Sequence, residues 1–347
     1  MICVDLSEPV VLSSEREGFS VEKVCKSIWF MRQAGRYLPE FRKIRRKNSN
    51  FVKLCLNSEL SSDITLQPIK RFDLDAAIIF SDILIVPFAL GQDLKFTKDQ
   101  GPSLDKLNLK SFFNNSKKKF NQKLSPVYKA IEITRKKLNK DKSLISFIGA
   151  PWTLLIYMLN LKKNKTILDE VKLEDKNLKL NEILKELIEY LCLHIQNQIN
   201  AGADIVQIFD SWAGLVPPKQ IKQYCFYPNL EIVDYCKKNN IPNICFPKGI
   251  RENYKDFNKI VKPDGINLDP EINPQWAKDN LSNVVLQGGL DPKILLKSEH
   301  EIFEGAAKYI NNFKGTPYVF NLGHGLLPDT DPDKVDKLIK FYRNYNG

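Results

Sequence analysis

Two arginines near the start of the chain have the type and spacing for chemistry. Arg32 ends the apolar run Ile28–Met31, and Arg36 follows Gly35. Most of the positive charge elsewhere is lysine, so the choice of arginine matters. A guanidinium binds carboxylate or phosphate at two points, which an ammonium cannot do. Two such forks at a strand mouth suit a polyanion. The same stretch also reads as the basic start of a solvated helix, and spacing alone leaves both readings open.

Three more side chains are placed for a site. Asp82 follows the buried-looking run Ala76–Phe80 after Ser81. Its carboxylate can emerge from a strand into a cavity, although Ser-Asp is equally a cap or turn signal. His324 lies between Gly323 and Gly325, where the backbone can approach a ligand closely. Tyr157, six residues past Pro151, can bring a hydroxyl to the same place, or can simply be core. His194 falls at the edge of a helical stripe and His300 beside Glu301, which reads as packing and surface. No His or Cys pair has ligand spacing, so no metal site is expected.

Positioning these residues requires strands that end together. Eight short apolar runs qualify: Ser27–Met31, Ala76–Phe80, Leu144–Ile148, Asp204–Phe209, Asn243–Phe246, Gly265–Leu268, Val284–Gln287 and Tyr318–Asn321. Near-continuous apolar runs indicate strands covered on both faces, as in a parallel sheet. Helical patterns lie between them, over Phe51–Leu66, Val127–Leu138, Glu182–Ala201, Glu301–Phe313 and Pro332–Tyr345. The alternation predicts one (β/α)8 TIM barrel over residues 1–347, with a lead-in at 1–26 and Lys/Asn-rich insertions at 101–126 and 158–181. An open doubly wound sheet is the alternative, but neither G-x-G-x-x-G nor G-x-x-x-x-G-K-[ST] supports it. In a barrel, chemistry sits past the carboxyl ends of the strands. Those ends carry Arg32, Asp82, Pro151, Asp210-Ser211-Trp212, Lys248-Gly249, Asp269, Gly289 and His324.

Composition narrows the classes. With 347 residues, 43% of them hydrophobic, the chain can bury a core without staples. The cysteines Cys3, Cys25, Cys55, Cys192, Cys225, Cys236 and Cys245 are scattered among apolar neighbours, as reduced thiols in a cytoplasm would be. Acidic residues Asp5, Glu8, Glu15 and Glu17 interrupt any export signal, and no apolar run reaches the ~18 residues of a membrane span. The net charge of +11 invites a nucleic-acid reading. The lysines instead form patches mixed with Asn and acids, at Lys117–Lys119, Lys136–Lys137 and Lys162–Lys165. Neither nucleic acid nor membrane is expected as a partner.

Taken together, several segments resemble the uroporphyrinogen decarboxylase family. They are Met31-Arg-Gln-Ala-Gly-Arg-Tyr-Leu-Pro-Glu-Phe41, Gln67-Pro-Ile-Lys-Arg-Phe-Asp-Leu-Asp75, Phe80-Ser-Asp-Ile-Leu84 and Gly149-Ala-Pro-Trp-Thr-Leu154 with Tyr157-Met158. Phe209-Asp-Ser-Trp-Ala-Gly214, Leu286-Gln-Gly-Gly-Leu-Asp-Pro292 and Phe320-Asn-Leu-Gly-His-Gly325 continue the series. The resemblance implies a TIM barrel, a homodimer, and cofactor-independent removal of carboxyl groups from the four acetates of uroporphyrinogen III, giving coproporphyrinogen III. It implies Asp82, Arg32 and Tyr157 as catalytic residues. Arg36, Phe41, Phe209, Ser211 and His324 would join them around the substrate. Arg42, Arg45 and Arg46 remain on a solvated helix face. Two departures stand out. Leu159–Thr166 replaces the family's Glu-Gly-Gly-Gly-Ser-like loop, and Pro270 follows Asp269 where the family often has Trp.

Overall fold

Nine strands run through residues 27–97, 101–161 and 179–345, which the computed structural model describes. They are β1 (Ala76–Ile78), β2 (Leu94–Thr97), β3 (Gly101–Leu104), β4 (Ser143–Gly149), β5 (Ile205–Asp210), β6 (Asn243–Pro247), β7 (Gly265–Leu268), β8 (Val285–Gly288) and β9 (Tyr318–Val319). The expected lead-in, Cys3, Cys25, Lys162–Lys165 and most of the 158–181 insertion lie outside the described residues. Seven strands make one parallel sheet in the order β1-β4-β5-β6-β7-β8-β9.

The run Ser27–Met31 closes this sheet into a barrel without becoming a regular strand. Ile28 bridges Phe320 in parallel, Phe320 N–H donates to Ser27 O at 2.9 Å, and on the other side Asp75 N–H donates to Ile28 O at 3.0 Å. A full ladder does not form because side chains take the backbone donors. Ile28 N–H goes to Asp75 Oδ2 (2.6 Å), Phe30 N–H to Gln33 Oε1 (3.1 Å) and Met31 N–H to Asn321 Oδ1 (3.1 Å). The eighth stave is thus stitched by side chains.

Alternation explains why the strand sequences read as unbroken apolar runs. Trp29, Met31, Ala76, Ile78, Ile145, Ile205, Ile244, Phe246, Val285 and Val319 fill the lumen as one cluster. Their neighbours Phe30, Ile148, Val206, Ile208, Cys245, Ile266, Leu286 and Phe320 face the surrounding helices in the other. One layer of the lumen is polar. Trp29 Nε1–H donates to Gln287 Oε1 (3.0 Å), and Gln287 Nε2–H donates to Asn267 Oδ1 (2.8 Å) and Gln207 Oε1 (3.2 Å). These amides are buried.

Two features differ from the sequence-based expectation. The helix expected from Val127 begins ten residues earlier, spanning Lys117–Lys137 with Ser116 as its cap. Pro126 does not stop it, because Ser125 Oγ–H donates to Gln122 O (2.9 Å), the carbonyl that a proline cannot serve. Ahead of it, part of the supposed polar insertion forms the antiparallel hairpin β2–β3. Gln92 Nε2–H holds it to Asp105 O (2.8 Å) and Met158 O (3.1 Å), and Asn160 Nδ2–H to Leu104 O (3.1 Å). No described helix is long and apolar enough to cross a membrane.

Candidate active site

Arg32 leaves the first stave in a left-handed conformation, φ 57°. That backbone is costly for a residue with a Cβ, and it is held by a turn in which Gln33 N–H donates to Phe30 O (3.0 Å). The last barrel loop locks it further: Leu326 N–H donates to Met31 O at 2.9 Å. The Arg32 stem lies across Gly325, where an added Cβ would fall 2.4 Å from Cδ and 2.6 Å from Cγ. Glycine at 325 is therefore a condition for this arginine. Its side chain is open to the cleft yet crowded by protein. That burial lowers its pKa, opposed by the charges of Asp82 and Tyr157 and reinforced by Arg36.

Asp82 lies just past β1, half-buried. Oδ1 accepts Leu84 N–H at 2.8 Å, so the turn function anticipated for Ser-Asp is real. Among the described residues Oδ2 has no hydrogen-bond donor. Burial raises the carboxyl pKa to about 6, against the Leu84 N–H and the positive field of Arg32. The turn and cavity readings turn out to be compatible.

Tyr157 ends the helix Pro151–Met158, and its ring stands edge-on to Trp212 with centroids 6.1 Å apart. Burial raises the phenol pKa; Trp212 favours the phenolate, Asp82 disfavours it and Arg32 favours it. Asp82, Arg32 and Tyr157 therefore sense one another across one mouth. Beneath Trp212, a buried clamp fixes the β5 loop. Asp210 accepts Thr153 Oγ1–H (2.7 Å) and Asn229 Nδ2–H (3.0 Å), while Trp212 N–H donates to Thr153 Oγ1 (3.0 Å). Ser211 rides on this clamp, half-buried.

His324 Nδ1 accepts Gly325 N–H at 2.8 Å, which leaves the ring proton on Nε2. Burial, then Lys248 and Arg32, pull its pKa down to about 3, so the imidazole is neutral. Gly323 beside it explains the departure at 270. An added Cβ there would sit 2.6 Å from Pro270 Cδ, so the proline ring packs directly on the loop backbone.

The remaining expected residues divide. Arg36 is exposed and close enough to act on Arg32. Phe209 is half-buried at the top of the lumen, edge-on to Phe147 at 5.7 Å. Phe41 is only 3% exposed and packs edge-on to Phe80 at 5.6 Å, behind Asp82. Arg42 and Arg45 prove less idle than a solvated face suggests. Arg42 Nη1–H donates to Arg36 O (3.0 Å) and Tyr37 O (2.9 Å), and Arg45 donates to Ser49 O (2.8 Å) over the Phe51 ring. The sequence places Lys248 and Trp212 at strand ends without marking either as functional. Among the described residues no three His, Cys, Asp or Glu side chains converge as a metal site.

Comparison with known proteins gives the family and the fold. The family model described as uroporphyrinogen decarboxylase (URO-D) matches residues 22–345. A uroporphyrinogen decarboxylase of Orientia tsutsugamushi (strain Ikeda) is 41% identical over 325 residues, covering 92% of this chain and 94% of that protein. One from Rickettsia bellii (strain RML369-C) is 41% identical over 322 residues, covering 92% and 94%. Among solved structures, a methyltransferase from Methanosarcina mazei superposes with a TM-score of 0.73 at 18% identity, covering 88% of this chain and 91% of that one. At that identity it speaks for the TIM-barrel fold alone.

Proposed function

Because the chain belongs to the uroporphyrinogen decarboxylase family and is a carboxy-lyase, we propose that the mouth built by Arg32, Asp82, Tyr157 and His324 is where uroporphyrinogen loses its acetate carboxyls. The observation that carries this reading is the mutual proximity of Asp82, Arg32 and Tyr157 at one barrel mouth.

The reaction needs an electron sink. Protonation of a pyrrole ring carbon makes a cationic ring. The bond from the acetate methylene to its carboxylate then breaks, its electron pair flows into the ring, and carbon dioxide leaves. The exocyclic methylene takes up a proton to become methyl, and the ring carbon returns its own. Asp82 Oδ2 accepts pyrrole N–H groups and stabilises the ring cation. A unit charge pair at ~4 Å in an effective dielectric of ~20 is worth about 4 kcal/mol, roughly three orders of magnitude in rate if expressed only in the transition state. Arg32 holds the reacting carboxylate. Its pKa makes it a poor free acid, so it serves as a clamp and at most a proton relay. Arg36 binds another carboxylate, neutral His324 donates from Nε2–H, and Tyr157 and Ser211 orient through their hydroxyls. Phe209 supplies apolar surface for the macrocycle, while the buried Phe41 packs behind Asp82 and does not reach it.

The same reading makes the chain one cytoplasmic domain that pairs as a homodimer, acting without a cofactor. Anaerobic incubation with uroporphyrinogen III, followed by counting carboxyls on the product, tests the activity. Four carbon dioxide molecules per macrocycle are expected. Binding of the substrate with no release of carbon dioxide would reduce the protein to a tetrapyrrole-binding module.

A further inference from the structure

The staves around the barrel run from Ser27–Met31 through β1, β4, β5, β6, β7 and β8 to β9, and Ile28–Phe320 closes the ring. β6 is therefore four positions from the stave that bears Arg32, directly across the mouth. Ile244 and Phe246 of β6 face the lumen while Cys245 faces the helices, and Lys248 follows the strand in a turn at the barrel's carboxyl end, its N–H also donating to Phe246 O at 3.0 Å. The backbone around Lys248 is fixed on three sides. Lys248 N–H donates to Asp210 O (3.1 Å), Gly214 N–H to Lys248 O (2.9 Å), and Gly249 N–H to Asp269 Oδ2 (2.7 Å). That same Asp269 oxygen also accepts Tyr254 O–H at 3.0 Å. Asp269 thus positions the loop and feels the Lys248 charge, while Lys248 stays half-buried and forms no ion pair within 4 Å among the described residues.

A lysine with a fixed backbone at the barrel mouth, close to Asp269 and His324 but in no ion pair within 4 Å among the described residues, is free to hold a further anion. Uroporphyrinogen has eight carboxylates, and only the four acetates are removed. When one ring's acetate lies at Arg32, the opposite side of the macrocycle presents carboxylates toward β6.

Resting on the function proposed above, we infer that Lys248 is a substrate-binding residue that clamps a retained carboxylate of the ring opposite the reacting one. Its closeness to His324, whose pKa it helps to lower, agrees with a position inside the mouth. The clamp grips product as well as substrate, because the carboxylate it holds is never removed.

The test is steady-state decarboxylation of uroporphyrinogen III by Lys248→Gln, Lys248→Met and Lys248→Arg, with coproporphyrinogen III as an anaerobic competitive inhibitor. Both neutral variants are expected to raise KM and the product inhibition constant together, by about tenfold or more, as for loss of a charge-assisted bond. Their kcat should stay within about threefold, and Lys248→Arg should restore most of the affinity. Thermal unfolding identifies a misfolded variant, and two neutral replacements of different shape keep the test open if one fails to fold. Unchanged KM, or a loss of kcat with KM fixed, overturns the clamp. Wild-type protein that releases no carbon dioxide instead overturns the functional reading beneath it.

Discussion

The two ends of this barrel use the same residue types for opposite purposes. At the amino-terminal end, Asp75 accepts Ile28 N–H at 2.6 Å and pairs with Arg343 Nη2 at 2.7 Å. Asp204 there accepts Leu144 N–H (2.7 Å) and pairs with Arg135 (3.0 Å), and Asp264 binds Asn243 twice, at 3.0 and 2.7 Å. Each acid is matched, and the matches join staves or tie a helix to the barrel. At the carboxyl end the charges of Asp82 and Arg36 act on Arg32, those of Lys248 and Arg32 act on His324, and among the described residues the Asp82 carboxylate takes one hydrogen bond, from Leu84 N–H. The matched end holds the fold together. On the function proposed above, the other end is the one that a ligand completes.

The sharpest way to break this contrast is Asp82→Asn. Asn keeps an oxygen for Leu84 N–H but loses the charge, and kcat is expected to fall about a thousandfold. Stability should move the other way. The folded carboxyl, with its pKa raised from 3.8 to about 6, binds its proton more tightly than the unfolded one. The stability from this group is full below about pH 4 and is lost as pH rises through about 6. At pH 7 the ionised Asp82 thus costs up to about 3 kcal/mol, and Asp82→Asn should melt at or above the wild-type temperature. A variant that is both inactive and clearly less stable would put Asp82 among the structural acids.

Gly325→Ala comes next. The added methyl collides with the Arg32 stem, so kcat/KM should fall about thirtyfold through displacement of one bidentate clamp. Near-normal kinetics would mean that Arg32 does not need its observed path. At the opposite end, Asp75→Ala should lower unfolding free energy by about 2 kcal/mol, by removing the acceptor of Ile28 N–H and the 2.7 Å contact of Arg343, which keeps its pairing with Asp73, without altering kcat/KM of the folded enzyme. A catalytic defect there would erase the division between the two ends. The smallest effect is on pH dependence. As Asp82 takes up a proton near pH 6, kcat/KM should drop about fourfold between pH 7 and 5.5. His324, neutral down to about pH 3, contributes nothing to that limb.

Much of this was legible in the sequence because buried parallel strands announce themselves as short apolar runs. The run at Gly265–Leu268 coincides with β7, and Asn243–Phe246 differs from β6 by one residue. Side-chain substitution for backbone bonds was not legible. Nothing in Ser27–Met31 says that Asp75, Gln33 and Asn321 will take its amide protons, so a full strand was expected where one bridge exists. Pro126 misled for the same reason, since its rescue depends on the rotamer of Ser125. At the mouth, strand ends pointed to Arg32, Asp82 and His324. Lys248 was hidden among many surface lysines, because its significance comes from standing across the ring from Arg32, a relation that exists only after closure.

The buried polar layer of Trp29, Gln287, Asn267 and Gln207, together with the apolar lumen cluster that includes Met31, Phe246, Phe147 and Phe209, has a consequence for traffic. It makes the barrel a room with one door. A macrocycle can neither pass through nor leave from below. Four successive reactions on one molecule must therefore share a single opening, with a turn of the ring or an exit and return between them. Half-finished molecules then queue against fresh ones at the same threshold, and the length of that queue decides how many are released incomplete.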